Sequence, residues 1–197
     1  VAAIVVTCGM LIGYACVRRR GSRLSRMVES LAFFPYLMPA MAFATIYLAV
    51  ATSANFKFLY GTFGVLVLVA SIKFLPFASR SGVNSMMQIA PEIEEAAVIF
   101  GVPWRTRMTR ILFPIQKSSI ISGYLLPVIS VMREVALFTL LVPYARYLLT
   151  TMLFSFNETG YAQYGSAVTL LIILIIILIH FVTNKLTGAS FDTGIGG

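Results

Sequence analysis

The sequence predicts an all-α integral membrane protein with about five transmembrane helices and two short helices in the loop between the third and fourth. Three observations predict it. First, 59% of the 197 residues are hydrophobic and only 11% are charged, whereas a soluble domain has about a quarter of its residues charged. Lipid is therefore the expected solvent for much of the surface. Second, five apolar segments divide the chain. Third, the basic residues gather in loops that alternation places on one side of the membrane. The formal charge of +8 fits that pattern better than a groove that tracks phosphates, so no nucleic-acid partner is expected.

The first segment, residues 1–17, is short for a full span. No basic stretch precedes it and Arg18, Arg19 and Arg20 follow it, so it reads as a span rather than a signal peptide. Because the chain begins at Val1, we expect a piece of a longer polypeptide. The second segment, 30–54, carries Pro35 and Pro39, which should kink it near its start. The third, 62–79, carries Lys73 and is expected to be interrupted at Pro76. The fourth, 118–142, contains Gly123, Pro127 and the pair Arg133 and Glu134. The fifth, 166–184, has an unbroken Leu/Ile run at 170–179 and reads as a spanning helix. Residues 143–165 are rich in Tyr and Phe, which suits a short helix at or dipping into the outer interface, the alternative being a sixth span that would put the C-terminus outside, against Lys185. Residues 1–187 then form one transmembrane domain, and the Gly-rich stretch 188–197 is expected to be disordered. Cys8 and Cys16 have neither disulfide nor metal spacing.

Orientation follows from the loops. Arg18, Arg19, Arg20, Arg23 and Arg26 lie between the first two spans; Arg80, Arg105, Arg107, Arg110 and Lys117 lie between the third and fourth; Lys185 follows the fifth. The other side has Lys57 and Arg146. The rich side, and with it the C-terminus, is expected to be cytoplasmic.

The loop at about 85–117 carries the most information. Pro91 suits a first helical residue. Glu92, Glu94 and Glu95 follow in the first turns, where the helix dipole favours acids. Ala96 and Ala97 are small enough for close approach, Gly101 is a stop, and Pro103 can start a second helix bearing Trp104, Arg105, Arg107 and Arg110. On residues alone two readings stand. The loop is an amphipathic element resting on lipid headgroups, as in a membrane scaffold with no transport role, or it is a docking element.

The spacing resembles the EAA motif of the permease subunits of binding-protein-dependent ABC importers. Glu95-Ala96-Ala97, three residues, Gly101, nine residues, Ile111, one residue and Phe113-Pro114 match it, with Phe113 where that family has Leu. The resemblance implies a permease domain of a bacterial inner membrane, forming half of a translocation path. It makes the loop a pair of coupling helices that dock on an ATPase, with Glu95 and Gly101 as the main contacts, Ala96 and Ala97 allowing close packing, and Pro103 and Arg105 beside them. It implies as partners an ABC ATPase dimer, a second permease half (identical, different or fused) and an extracytoplasmic substrate-binding protein, all in contact with membrane lipid. No GxxxxGK[ST] is present, so ATP and Mg²⁺ would be held by the partner ATPase; this chain is expected to bind no cofactor and to have no catalytic residues. Residues 74–97 and 132–142 look most like the iron(III), putrescine, thiamine and phosphonate branch, and within it Glu134, in the span after the loop, resembles the iron(III) group, which implies iron(III) as a substrate.

Charges inside spans are candidate path residues because lipid exposure is costly. Lys73, Arg133 and Glu134 are such candidates. On one helix Arg133 and Glu134 would point about 100° apart, so each needs another partner. Glu134 then either lines the path or pairs with Lys73, and Lys73 alternatively reaches toward a headgroup. His180 is expected to hydrogen-bond a neighbouring helix, and no Cys/His cluster points to a metal.

Overall fold

The computed structural model describes residues 1–19, 22–53, 55–141 and 148–187. Every regular element among them is helical: α1 (Ala2–Arg18), α2 (Arg23–Leu37), α3 (Ala40–Thr52), a 3₁₀ turn (Lys57–Leu59), α4 (Phe63–Met87), α5 (Pro91–Ile99), α6 (Trp104–Thr106), a π-helical turn (Arg107–Leu112), α7 (Phe113–Ile115), α8 (Lys117–Met132), α9 (Ala136–Leu141), α10 (Leu149–Glu158) and α11 (Ala162–Thr187). Two helices, α4 and α11, are long and apolar enough to cross a membrane alone. Two bent pairs reach that length only together, Arg23–Leu37 with Ala40–Thr52 and Trp104–Ile115 with Lys117–Met132. The 17-residue α1 is a shorter apolar helix.

Three spans differ from expectation. The second is not one kinked helix but two, meeting at 104°. Met38 is held extended, at φ −87° and ψ 134°, because the ring of Pro39 excludes it from the helical region. Pro39, without an N–H, then starts α3. Pro35, by contrast, lies inside α2. The third span is not interrupted: Pro76 is buried within a continuous 25-residue helix. A break there would leave several backbone groups without partners in an apolar medium, whereas continuing costs one hydrogen bond. The fourth span passes smoothly over Pro127 and breaks after Met132 instead. Residues 149–158 form the short helix expected near 143–165; Tyr144, Arg146, Tyr147 and the tail 188–197 lie outside the described residues.

The central contact joins α1 to α4, which run parallel. Gly9 lies on the backbone of Ala78, and Gly13 on that of Gly82. A Cβ on Gly9, Gly13 or Gly82 would fall far inside van der Waals contact of the opposite main chain. This is the small-xxx-small packing that lets membrane helices gain dispersion contacts where no hydrophobic effect separates protein from solvent. Val5, Val6, Met10 and Ala78 close the same seam. On its other faces α4 packs against α3 and α9 through Phe43, Val69, Phe74, Leu137 and Leu141, and against α8, where Gly123 admits the Ser81 side chain. Near the loop end Ser85 donates to Gln116, 2.9 Å, and Gln116 donates to the sulfur of Met86, 2.7 Å, all three buried. By contrast α11 exposes Leu170, Leu174 and Leu178, a surface suited to lipid.

Two glycines in spans should therefore respond in opposite ways. Gly13→Ala is expected to cost about 1–3 kcal/mol through overpacking. Gly64→Ala should be neutral or stabilise by up to about 1 kcal/mol, since helix propensity improves and only the Thr62 hydroxyl lies near that position. Thermal unfolding in detergent measures both.

Candidate functional site

The loop between α4 and α8 is built from the end of α4 outward. Met86, Ile89, Met108 and Leu112 form a buried cluster, with Tyr14, Val17 and Phe113 against it. α5 begins at Pro91, with Glu92 and Glu94 in its first turn. Its end is a Schellman turn: Val102 N–H donates to the Ala97 carbonyl and Gly101 N–H to that of Val98, both 2.9 Å. Gly101 has φ +69° and open space around it. Within the chain this glycine is required by backbone handedness and not by a neighbour.

The two faces of α5 do different work. Glu94, buried, accepts from the Tyr14 hydroxyl at 2.6 Å and from the Arg18 Nε at 2.8 Å, and Arg107 stands 3.8 Å away. Trp104 meets the Tyr14 ring edge-on. One carboxylate thus ties the end of α1, α5 and the π-helical turn into one body. Ala97 faces inward with Glu94. Glu95, Ala96, Gly101, Pro103 and Arg105 are exposed, and beside them Ile99 and Phe100 are 83% and 84% exposed.

The predicted docking set therefore divides. Ala97 is part of the fold of the loop and cannot lie on its outer surface, because it is three residues from Glu94 and shares its face. Arg107 turns inward to Glu94. Tyr14, Arg18, Glu94, Ile99 and Phe100 were missed from sequence. Helical periodicity counted from Glu95 would have separated the Glu94 and Ala97 face from the Glu95 and Ile99 face.

The intramembrane candidates also divide. Lys73 donates to Glu134 at 2.8 Å, and each side chain is 12% exposed. The other oxygen of Glu134 accepts the Leu137 N–H at 3.1 Å, which caps α9. This explains the break in the fourth span: Arg133 closes α8, and the Glu134 carboxylate supplies the acceptor that starts α9. Arg133 and Glu134 are consequently not neighbours on one helix. Arg133 is exposed. His180 meets Asn184 of its own helix at 3.1 Å.

Each polar cluster carries an expected outcome. Lys73→Met alone leaves the Glu134 charge without its cation and should cost about 3 kcal/mol or more. Lys73→Met with Glu134→Gln should cost clearly less than the sum of the two single changes, as a double-mutant cycle of unfolding in detergent would read. Glu94→Gln should destabilise by about 2 kcal/mol, with two charge-assisted bonds weakened, whereas Glu95→Gln should stay within about 0.5 kcal/mol of wild type.

Comparison with known proteins follows the same lines. The family described as "Binding-protein-dependent transport system inner membrane component" matches residues 6–188. The phosphate transport system permease protein PstA 1 of Mycobacterium tuberculosis (strain CDC 1551 / Oshkosh) is 27% identical over 210 residues, covering 93% of this chain and 67% of that protein. PstA of Mycobacterium leprae (strain TN) is 32% identical over 121 residues, 61% of this chain and 38% of that one. This chain thus spans about two thirds or less of the length of these relatives. Among solved structures, a chain of the MetNI methionine ABC transporter in an inward-facing conformation superposes with a TM-score of 0.75 at 16% identity, covering 94% of this chain and 87% of that chain. A chain of a bacterial alginate ABC transporter, solved with its alginate pentasaccharide-bound periplasmic protein, gives 0.68 at 13% identity, covering 96% of this chain and 74% of that chain. These two likenesses establish the fold. With the family match over nearly the whole chain, they make this protein a member of the binding-protein-dependent transport system inner membrane components, the multi-pass permeases of ABC importers.

Proposed function

We propose that this chain forms half of an ATP-driven import path and docks an ATPase subunit through the outer face of α5. The observation that carries this reading is the division of that helix. Its inner face is tied down by Glu94, while its outer face offers Glu95 with Ile99 and Phe100 exposed at its end. A lipid-binding scaffold loop fits less well. Exposed Glu92 and Glu95 would be repelled by anionic headgroups, and a protein partner can cover Ile99 and Phe100 while pairing with Glu95.

In this reading the loop side is cytoplasmic, as is the C-terminus, and ATP with Mg²⁺ is held by the partner. Closure of an ATPase dimer pushes α5. The Glu94 cluster passes the push to α1, and the glycine seam passes it to α4. A second permease half completes the path, and a binding protein delivers substrate on the opposite side. Lys73 and Glu134 hold the angle between α8 and α9. Arg133, exposed, is the candidate among the three for contact with a passing solute. The iron(III) expected from Glu134 finds no support among the relatives, which are named as phosphate permeases. We infer an oxyanion such as phosphate as the substrate class.

The test is co-purification with the ATPase in mild detergent. Glu95→Lys and Phe100→Asp should each lower bound ATPase at least tenfold while the permease stays folded. Gly101→Asn serves as the backbone control, since Asn tolerates positive φ better than other residues. If both face variants retain wild-type amounts of ATPase, the docking reading is overturned.

A further inference from the structure

A groove of about 640 Å³ lies between α2 and α4, away from the docking face of α5. The two helices run antiparallel, as Tyr36 packs on Phe77 and Arg80 stands over the Phe33 ring at 5.1 Å. The lining is graded along the helices. Arg26, Glu29 and Asn84 are at the loop end, Arg80 is farther in, and Phe33 and Leu37 make the inner part apolar. Arg26, Glu29 and Arg80 are all exposed, and among the described residues none of them is in an ion pair.

Depth makes this arrangement specific. The 25 residues of α4 measure about 37 Å at 1.5 Å per residue, against a hydrocarbon core of about 30 Å. Arg80 stands seven residues before Met87, about 10 Å from the helix end. Its Cα therefore lies inside the hydrocarbon boundary while its side chain can reach the headgroup layer. A guanidinium there needs a counter-charge. Among the described residues it stands over the face of Phe33 and is in no ion pair. Arg26, in the first turn of α2, lies on the loop side of it.

We propose that this groove is a binding site for an anionic phospholipid. Its phosphate lies between Arg26 and Arg80, and one acyl chain runs along Phe33 and Leu37. Charge and the gradient of polarity both select an amphiphile. A free anion would leave the apolar half empty, and an uncharged lipid would bring no anion to Arg80, which Glu29 at the loop end does not pair. The site rests on the membrane-spanning fold alone and not on the ATPase reading, so either can fail without the other.

Native mass spectrometry of the full chain in mild detergent, titrated with dioleoylphosphatidylglycerol, tests it. Wild type should retain one lipid more tightly than the rest. Arg26→Gln with Arg80→Gln should lower that occupancy at least fivefold, and Lys57→Gln, at the opposite end of the helices, should not. If the double variant does not fold, Ser30→Trp, which fills the groove from an exposed position, should give the same loss. Dioleoylglycerol, lacking the phosphate, should not be retained. Equal occupancy in wild type and the groove variants overturns the proposal. So does displacement of the lipid by millimolar inorganic phosphate, which marks a free-anion site. So does efficient cross-linking between two copies carrying Arg80→Cys, which marks the groove as an interface between permease chains.

Discussion

At the seam between α1 and α4, two main chains touch where side chains would normally keep them apart. Gly9 and Gly13 on one helix meet Ala78 and Gly82 on the other. In lipid, the hydrophobic effect does not drive two apolar helices together, so the association depends on close dispersion contact and on the absence of Cβ atoms in the way. Everything else is arranged around the helix that this seam fixes. α2, α3, α8 and α9 all pack on α4, and α4 ends in the buried cluster from which the loop between α4 and α8 is built. The short α1 gains its place through this contact and in turn supplies Tyr14 and Arg18 to Glu94.

The fold was legible in the sequence at the level of apolar segments and loop charge. A run such as 170–179 has no soluble alternative, and α11 follows it closely. What was not legible was how prolines and charges act inside spans. Pro76 looks like an interruption, but in an apolar medium a continuous helix is the cheapest way to satisfy the remaining backbone groups. Pro39 does break a helix, because it meets Met38 at the point where the chain must turn. The break at Glu134 was hidden for a different reason. An Arg-Glu pair in an apolar run suggests two helix-borne charges, and only the cap on Leu137 reveals that the Glu starts a new helix.

The candidate site was half legible. The motif spacing led directly to Glu95 and Gly101, which lie on the outer surface of the loop, although its other fixed positions Ala97 and Phe113 turn inward. It was silent about Glu94, which carries the same charge one position earlier and is turned through 100° into the protein. Partners distant in sequence, Tyr14 and Arg18 on α1, decide which of two adjacent carboxylates is structural. Nothing local to the loop contains that information.

The turn at Gly101 has a consequence for association. Its shape is set by two backbone hydrogen bonds and a left-handed residue in open space, with no outside group required. The outer face of the loop therefore keeps its shape without a partner, and little conformational entropy would remain to be lost if it met another surface. In the docking role proposed above, such a connector recognises by rigid complementarity. Its specificity resides in the few side chains it displays, so those can diverge between related systems while the loop beneath them keeps one conformation.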